Sequence, residues 1–153
     1  MSKVILVFGL PGSGKTTFCK ALAEELKEFG VTHLNADKVR EEYQDWDFST
    51  EGRIRQAHRM RELADKQITE YTLCDFVCPY KSVRQSLFKN AYCVFLNTIE
   101  QGRFEDTNKI FEFPGPEEYN FIIDNMNDIK KSAHILSAIL QYQLFSFELQ
   151  PYS

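Results

Sequence analysis

An α/β fold, a mostly parallel sheet with helices on both faces, is predicted by three observations. Short apolar, β-branched runs alternate with segments of helical period; a glycine-rich loop joins the first run to the first helix; and the 153 residues are 43% hydrophobic and 26% charged, the make-up of one globular domain with a real core. That make-up argues against disordered, collagen-like or fibrous classes. No apolar run approaches the roughly 20 residues that span a bilayer, so no membrane partner is expected. The strand pattern starts after only Met1, Ser2 and Lys3, so no export signal is expected and the default compartment is cytoplasmic.

The elements follow in order. Residues 4–8 are a continuous apolar strand. Phe18, Leu22, Leu26 and Phe29 share one face of a first helix, with Gly30 as its stop. A second strand at 31–34 runs into Asn35-Ala36-Asp37, after which Val39 and Arg40 begin a polar helical segment. Ile54, Ala57, Met60, Ala64 and Ile68 give 51–69 an amphipathic helical pattern. Strands at 71–77, closed by Pro79, at 91–96 and at 120–123 follow, and Ile129, Ala133, Leu136 and Leu140 define a last helix. Between 98 and 116 the pattern disappears, a length that in a compact domain marks a functional loop, here read as a lid within a single domain over 1–153.

The loop after the first strand reads G-L-P-G-S-G-K-T from Gly9 to Thr16, matching G-x-x-x-x-G-K-[ST] in full between a strand and a helix. Gly9, Gly12 and Gly14 free the backbone to point successive N–H groups inward as an anion nest, to which Ser13, Thr17 and the helix start contribute. Lys15 can reach the β- and γ-phosphates, and the Thr16 hydroxyl suits Mg²⁺. The sequence therefore predicts a P-loop NTPase fold that binds ATP with Mg²⁺.

The acceptor of the phosphate has to come from later residues. Asp37, just past a strand that should lie beside the loop, is placed to accept the proton of an attacking hydroxyl, with service as a helix cap as the competing reading. Arg40, three residues on, would share its helix face and could bind an anionic acceptor.

Beyond the P-loop, N-A-D-K-V-R from Asn35 to Arg40, Phe48-Ser49, Ile54-Arg55 and C-P-Y-K from Cys78 to Lys81 resemble, in order, the D-G-D-N-V-R, G-F-S, N-I-R-R and S-P-Y-R elements of adenylylsulfate kinases. The resemblance covers roughly residues 3–124. It implies transfer of the ATP γ-phosphoryl group to the 3′-hydroxyl of adenylylsulfate, a small nucleotide acceptor. It further implies Asp37 as the base, Arg40 and Arg55 as holders of the acceptor's anionic group, and Phe48 as a stack for its adenine. Phe104, in a shortened lid, corresponds loosely to the partner of that stack. The family's tendency to dimerise implies a homodimer. The competing readings are a core role for Phe48 and a solvated helix face for Arg55, since Arg53, Arg55, Arg59 and Arg61 cluster together.

The chain departs from the family at three points. The first Asp of the motif is Asn35, Arg53-Ile54-Arg55-Gln56 stands for N-I-R-R, and Cys78 replaces a Ser. Asp75, near the end of the third strand, is a candidate to take over metal-shell duty lost at Asn35, or else a strand-end cap. In the lid, Arg103 and Lys109 are candidates to stabilise charge on the transferring phosphoryl group, or else to pair with Glu100, Glu105 or Asp106.

Two other functions compete. The N-x-D-x-x-R pattern also resembles phage polynucleotide kinases, which act on a 5′-hydroxyl; a third reading is a nucleotide-dependent switch with no acceptor. The balance of 18 Lys+Arg against 22 Asp+Glu, net −4, argues against a general duplex-binding surface and leaves a local basic cleft open. Cys19, Cys74, Cys78 and Cys93 are read as buried thiols rather than metal ligands or disulfides, and His33, His58 and His134 as isolated residues without assigned chemistry.

Overall fold

A computed structural model describes residues 2–149. Five parallel strands form one sheet in the order β2-β3-β1-β4-β5. They are β1 (Lys3–Phe8), β2 (Val31–Asn35), β3 (Tyr71–Asp75), β4 (Tyr92–Leu96) and β5 (Phe121–Ile123). The helices are α1 (Lys15–Glu25), α2 (Ala36–Tyr43), α3 (Thr50–Asp65), α4 (Lys81–Leu87), α5 (Glu105–Ile110) and α6 (Ile129–Leu149).

Strand β1 is central, and its alternation divides the core. Ile5 and Val7 point to one face, where Phe18 and Leu22 of α1 and Ala133 and Leu136 of α6 cover them. Leu6 and Phe8 point to the other, packed with Ala57 and Met60 of α3 and with Phe88. A strand buried on both faces needs an unbroken apolar run, which is why β1 reads V-I-L-V-F. Each such buried side chain is worth about 1.5–3 kcal/mol.

Several sequence expectations are corrected. Helix α1 ends at Glu25, and a 3-10 turn at Lys27–Phe29 carries the chain to Gly30, whose φ of 88° reverses it. Phe29 is therefore left 43% exposed, edge-on to Tyr71. Helix α3 stops at Asp65, so Ile68 lies beyond it and is 95% exposed. Helix α4 had no sequence signal, because seven residues carry under two full turns of pattern. The segment 98–116 is not structureless: it holds α5, and Phe111 just after it is buried against Phe95 at 6.3 Å. The four cysteines are free and buried as expected. Among the described residues no helix is long and apolar enough to cross a membrane.

Candidate active site

The register of the sheet assembles the site at its carboxyl edge. Val7, Asp75 and Asn35 are direct neighbours across β1, β3 and β2, so the two polar strand ends lie beside the loop that follows β1. In that loop Gly9 has φ 155°, and a Cβ there would stand 2.8 Å from the Leu96 carbonyl and 3.0 Å from Ser13 Oγ. Gly14 caps α1 in the left-handed region, and a Cβ on it would overlap Ile129 Cδ1. Both positions need glycine. Ser13 is fully buried, its Oγ has no partner among the described residues, and its carbonyl accepts a 2.7 Å hydrogen bond from Thr98 Oγ1.

Lys15 turns back into the loop and donates to the Leu10 carbonyl at 3.0 Å. Burial pushes its pKa down, with the nearby Asp75 working in the opposite direction. An ammonium held by one carbonyl inside a glycine-rich loop is able to exchange that carbonyl for phosphate oxygens. Thr17 is exposed in the first turn of α1.

One carboxylate oxygen organises the strand ends. Asp75 Oδ2 accepts from Thr16 Oγ1 at 2.9 Å, from Asn35 Nδ2 at 3.1 Å, and meets His33 Nε2 at 2.9 Å. Asn35 also caps α2, accepting from the Lys38 N–H. The cap is therefore Asn35, and Asp37 stands exposed in the first turn of α2 with its carboxylate not used as a cap. His33, to which the sequence assigned no chemistry, is in the cluster. Nothing local marks a lone histidine on an edge strand; only the β2–β3 register brings it to Asp75.

A narrow recess of about 70 Å³ is lined by Asp37, Arg40, Phe48, Arg53, Gln56 and Tyr80, among others. Arg40 is 4% exposed, and its Nη1 donates to two backbone carbonyls, Asp45 at 2.8 Å and Asp47 at 3.2 Å. Its guanidinium lies 4.2 Å from the centroid of Phe48, a ring that is 50% exposed and so not a core residue. Arg53 donates to the Phe48 carbonyl at 2.8 Å and approaches the same ring to 5.4 Å. Burial pushes the pKa of both arginines down. Cys78, with φ 45°, turns the chain after β3 so that Pro79 and Tyr80 close the recess.

Arg55 is engaged elsewhere. It forms a two-pronged pair with Asp45 at 2.8 and 3.1 Å and reaches Asp47 at 3.1 Å, while Arg59 adds a second cation on Asp45 at 3.0 Å. The reason is helical geometry: at 100° per residue, two residues separate positions 53 and 55 by about 200°. Of the clustered arginines, the sequence singled out Arg55, and the structure turns Arg53 to the recess. Phe104 is exposed at the start of α5 beside Arg103, and neither it nor Lys109 is among the residues lining the recess. Arg103 is close enough for its charge to lower the Lys15 pKa. The segment 98–116 meets the P-loop directly, since a Cβ on Gly102 would stand 2.9 Å from the Pro11 carbonyl.

A parallel sheet in this order, with a P-loop after its central strand, defines a P-loop kinase fold. The model of the adenylylsulphate kinase family matches residues 1–103, two thirds of the chain, and the chain belongs to that family. It is therefore an ATP-dependent kinase, a phosphotransferase with a hydroxyl acceptor. Among solved structures, the Mycobacterium tuberculosis APS kinase CysC in complex with AMPPNP and APS is 18% identical, with 92% of this chain and 98% of that one covered and a TM-score of 0.78. Shikimate kinase from Acinetobacter baumannii, in complex with shikimate, is 20% identical over 94% and 96%, with a TM-score of 0.65. A gluconokinase from Sinorhizobium meliloti 1021 is 20% identical over 94% and 95%, also at 0.65. At these identities the likeness is one of fold. No curated protein sequence matches the chain.

Proposed function

We propose that this kinase transfers the γ-phosphoryl group of ATP to the 3′-hydroxyl of adenylylsulfate, giving 3′-phosphoadenylylsulfate and ADP. One observation carries the reading: Arg40 and Arg53, partly or fully buried and bonded through backbone carbonyls, flank the half-exposed Phe48 ring beside Asp37. Cations with no carboxylate partner among the described residues, next to an open aromatic face, suit an acceptor that is both anionic and planar, which adenylylsulfate is and a sugar or shikimate-like polyol is not.

In this mechanism Gly9, Gly12, Ser13, Gly14, Lys15, Thr16 and Thr17 hold the donor phosphates. The orphaned Ser13 Oγ and the inward Lys15 fit that task. Thr16 Oγ1 and Asp75, a hydroxyl and a buried carboxylate 2.9 Å apart, fit a hard divalent cation. Mg²⁺, when bound there, neutralises charge on the phosphates. Asp37 takes the proton of the 3′-hydroxyl as its oxygen bonds to the γ-phosphorus and the bond from that phosphorus to the β–γ bridging oxygen breaks, with ADP leaving. Arg40 and Arg53 grip the acceptor anion, Phe48 stacks on its base, and Arg103 approaches the transferring group as residues 98–116 close and exclude water.

Asn35 favours a second reading, a 5′-hydroxyl kinase of polynucleotides. Labelled γ-phosphate from ATP is offered to adenylylsulfate, to a 5′-hydroxyl oligonucleotide, and to buffer alone. Label in 3′-phosphoadenylylsulfate is the expected result. Label in the oligonucleotide supports the second reading, and turnover indifferent to acceptor supports a switch protein instead.

A further inference from the structure

Behind the Thr16–Asp75 contact lies a second cluster that phosphoryl transfer does not use in full. The Sγ of Cys19, an imidazole nitrogen of His33 and a carboxylate oxygen of Asp75 all lie within 4.8 Å of one another. Each comes from a different element: Cys19 sits one turn beyond Lys15 on α1, His33 is on the edge strand β2, and Asp75 ends β3. Cys19 is fully buried, Asp75 nearly so, and the His33 side chain keeps 21% of its surface, so the cluster opens to solvent over the sheet edge. Among the described residues no lysine or arginine pairs with Asp75; the nearby Lys15 ammonium is bonded to Leu10 instead. A buried carboxylate held by a hydroxyl, an amide and an imidazole thus stands beside a buried thiol.

The donor set decides which cation fits. Mg²⁺ demands an octahedron of oxygens, whereas sulfur, nitrogen and one carboxylate oxygen in a closed triangle suit a borderline-soft, tetrahedral ion. Tetrahedral bonds of about 2.0–2.3 Å place ligand atoms roughly 3.3–3.8 Å apart, so the His33 and Asp75 atoms, 2.9 Å apart, open slightly, while any pair at the 4.8 Å limit closes by about 1–1.5 Å. Side-chain rotation can supply that closure. We propose that Cys19, His33 and Asp75 form a binding site for a divalent cation of the Zn²⁺ type, with a fourth position left to water or to the Thr16 hydroxyl. The Cys19 proton is released to solvent as the metal–sulfur bond forms. Burial otherwise keeps that thiol protonated, so the sulfur acts as a ligand only when a metal displaces its proton.

Because the site shares Asp75 with the Thr16 position, its occupancy draws the carboxylate away from the hard cation, and micromolar Zn²⁺ inhibits transfer. That consequence rests on the reading of Asp75 given above; the ligand set does not. The test uses Co²⁺ as an optical stand-in on the intact protein without nucleotide. The expected result is a thiolate-to-cobalt charge-transfer band that saturates at one equivalent, is displaced by Zn²⁺, disappears in Cys19→Ala and needs at least tenfold more Co²⁺ in His33→Ala. Circular dichroism confirms that both variants are folded. No band in the wild type, or an unchanged band in Cys19→Ala, overturns the site. A band that behaves as expected while Zn²⁺ leaves turnover untouched upholds the ligand set and overturns the hard-cation role of Asp75.

Discussion

In the proposed mechanism the cleft has a donor end, where Thr16, Asn35 and Asp75 sit on strand ends and a helix start held side by side by the sheet, and an acceptor end, where Arg40, Phe48 and Arg53 are carried by α2, α3 and the chain between them. The donor end takes its shape from backbone geometry: three glycines with positive φ, and a strand register pinned by the buried apolar pattern of β1 and β3. The acceptor end takes its character from which charges are cancelled. Asp45 and Asp47 neutralise Arg55 and Arg59, and the cations left to face the recess are Arg40 and Arg53. On this proposal phosphate binding is a property of the fold, and acceptor choice a property of local ion pairing.

The largest effect is expected at the donor end. Lys15→Ala removes the one ammonium in the phosphate nest and should lower transfer by about 10³-fold or more in a coupled ADP assay. Within the acceptor end the two arginines separate: Arg53→Ala should raise the acceptor KM by about 10–30-fold, and Arg55→Ala by no more than about 3-fold. Equal effects would break the distinction between free and neutralised cations.

A smaller effect follows from Asp45→Asn, which releases Arg55 and Arg59. Hydrogen bonds from those two arginines hold the Asp45 carboxyl well below its ordinary pKa. The stability it contributes is therefore fully present above the unfolded value near 3.9 and is lost as pH falls through the lower folded value. Urea unfolding should show wild type more stable than Asp45→Asn at pH 7, with the gap shrinking below about pH 4. The smallest effect concerns the core beneath both ends. Burial pushes the thiols of Cys74 and Cys93 up to about 12 and about 11. Both stay protonated at pH 8, so a thiol reagent should leave them unmodified until the protein is unfolded.

The donor end was the more legible in sequence because its information is local. Strand, glycines, Lys15 and Thr16 lie within about a dozen residues, and the alternation of strand and helix segments pointed to the parallel sheet. The acceptor end was legible only in part. Arg40 and Phe48 reach the recess, but choosing between Arg53 and Arg55 needs the phase of α3 and the positions of Asp45 and Asp47, which spacing does not supply. His33 was invisible because its meaning comes from a strand forty residues away in sequence order, paired through β2–β3 register. Helices α4 and α5 were missed because seven and six residues are too few for period to emerge.

The division of the cleft is tested most directly at Asp37, which stands between its two ends. Wild type and Asp37→Ala are compared for ATP affinity by calorimetry and for adenylylsulfate-dependent turnover. The account predicts ATP binding within about twofold of wild type and turnover lower by about 10²–10⁴-fold. Turnover retained, or ATP affinity lost in step with it, would contradict an acceptor site organised around this carboxylate.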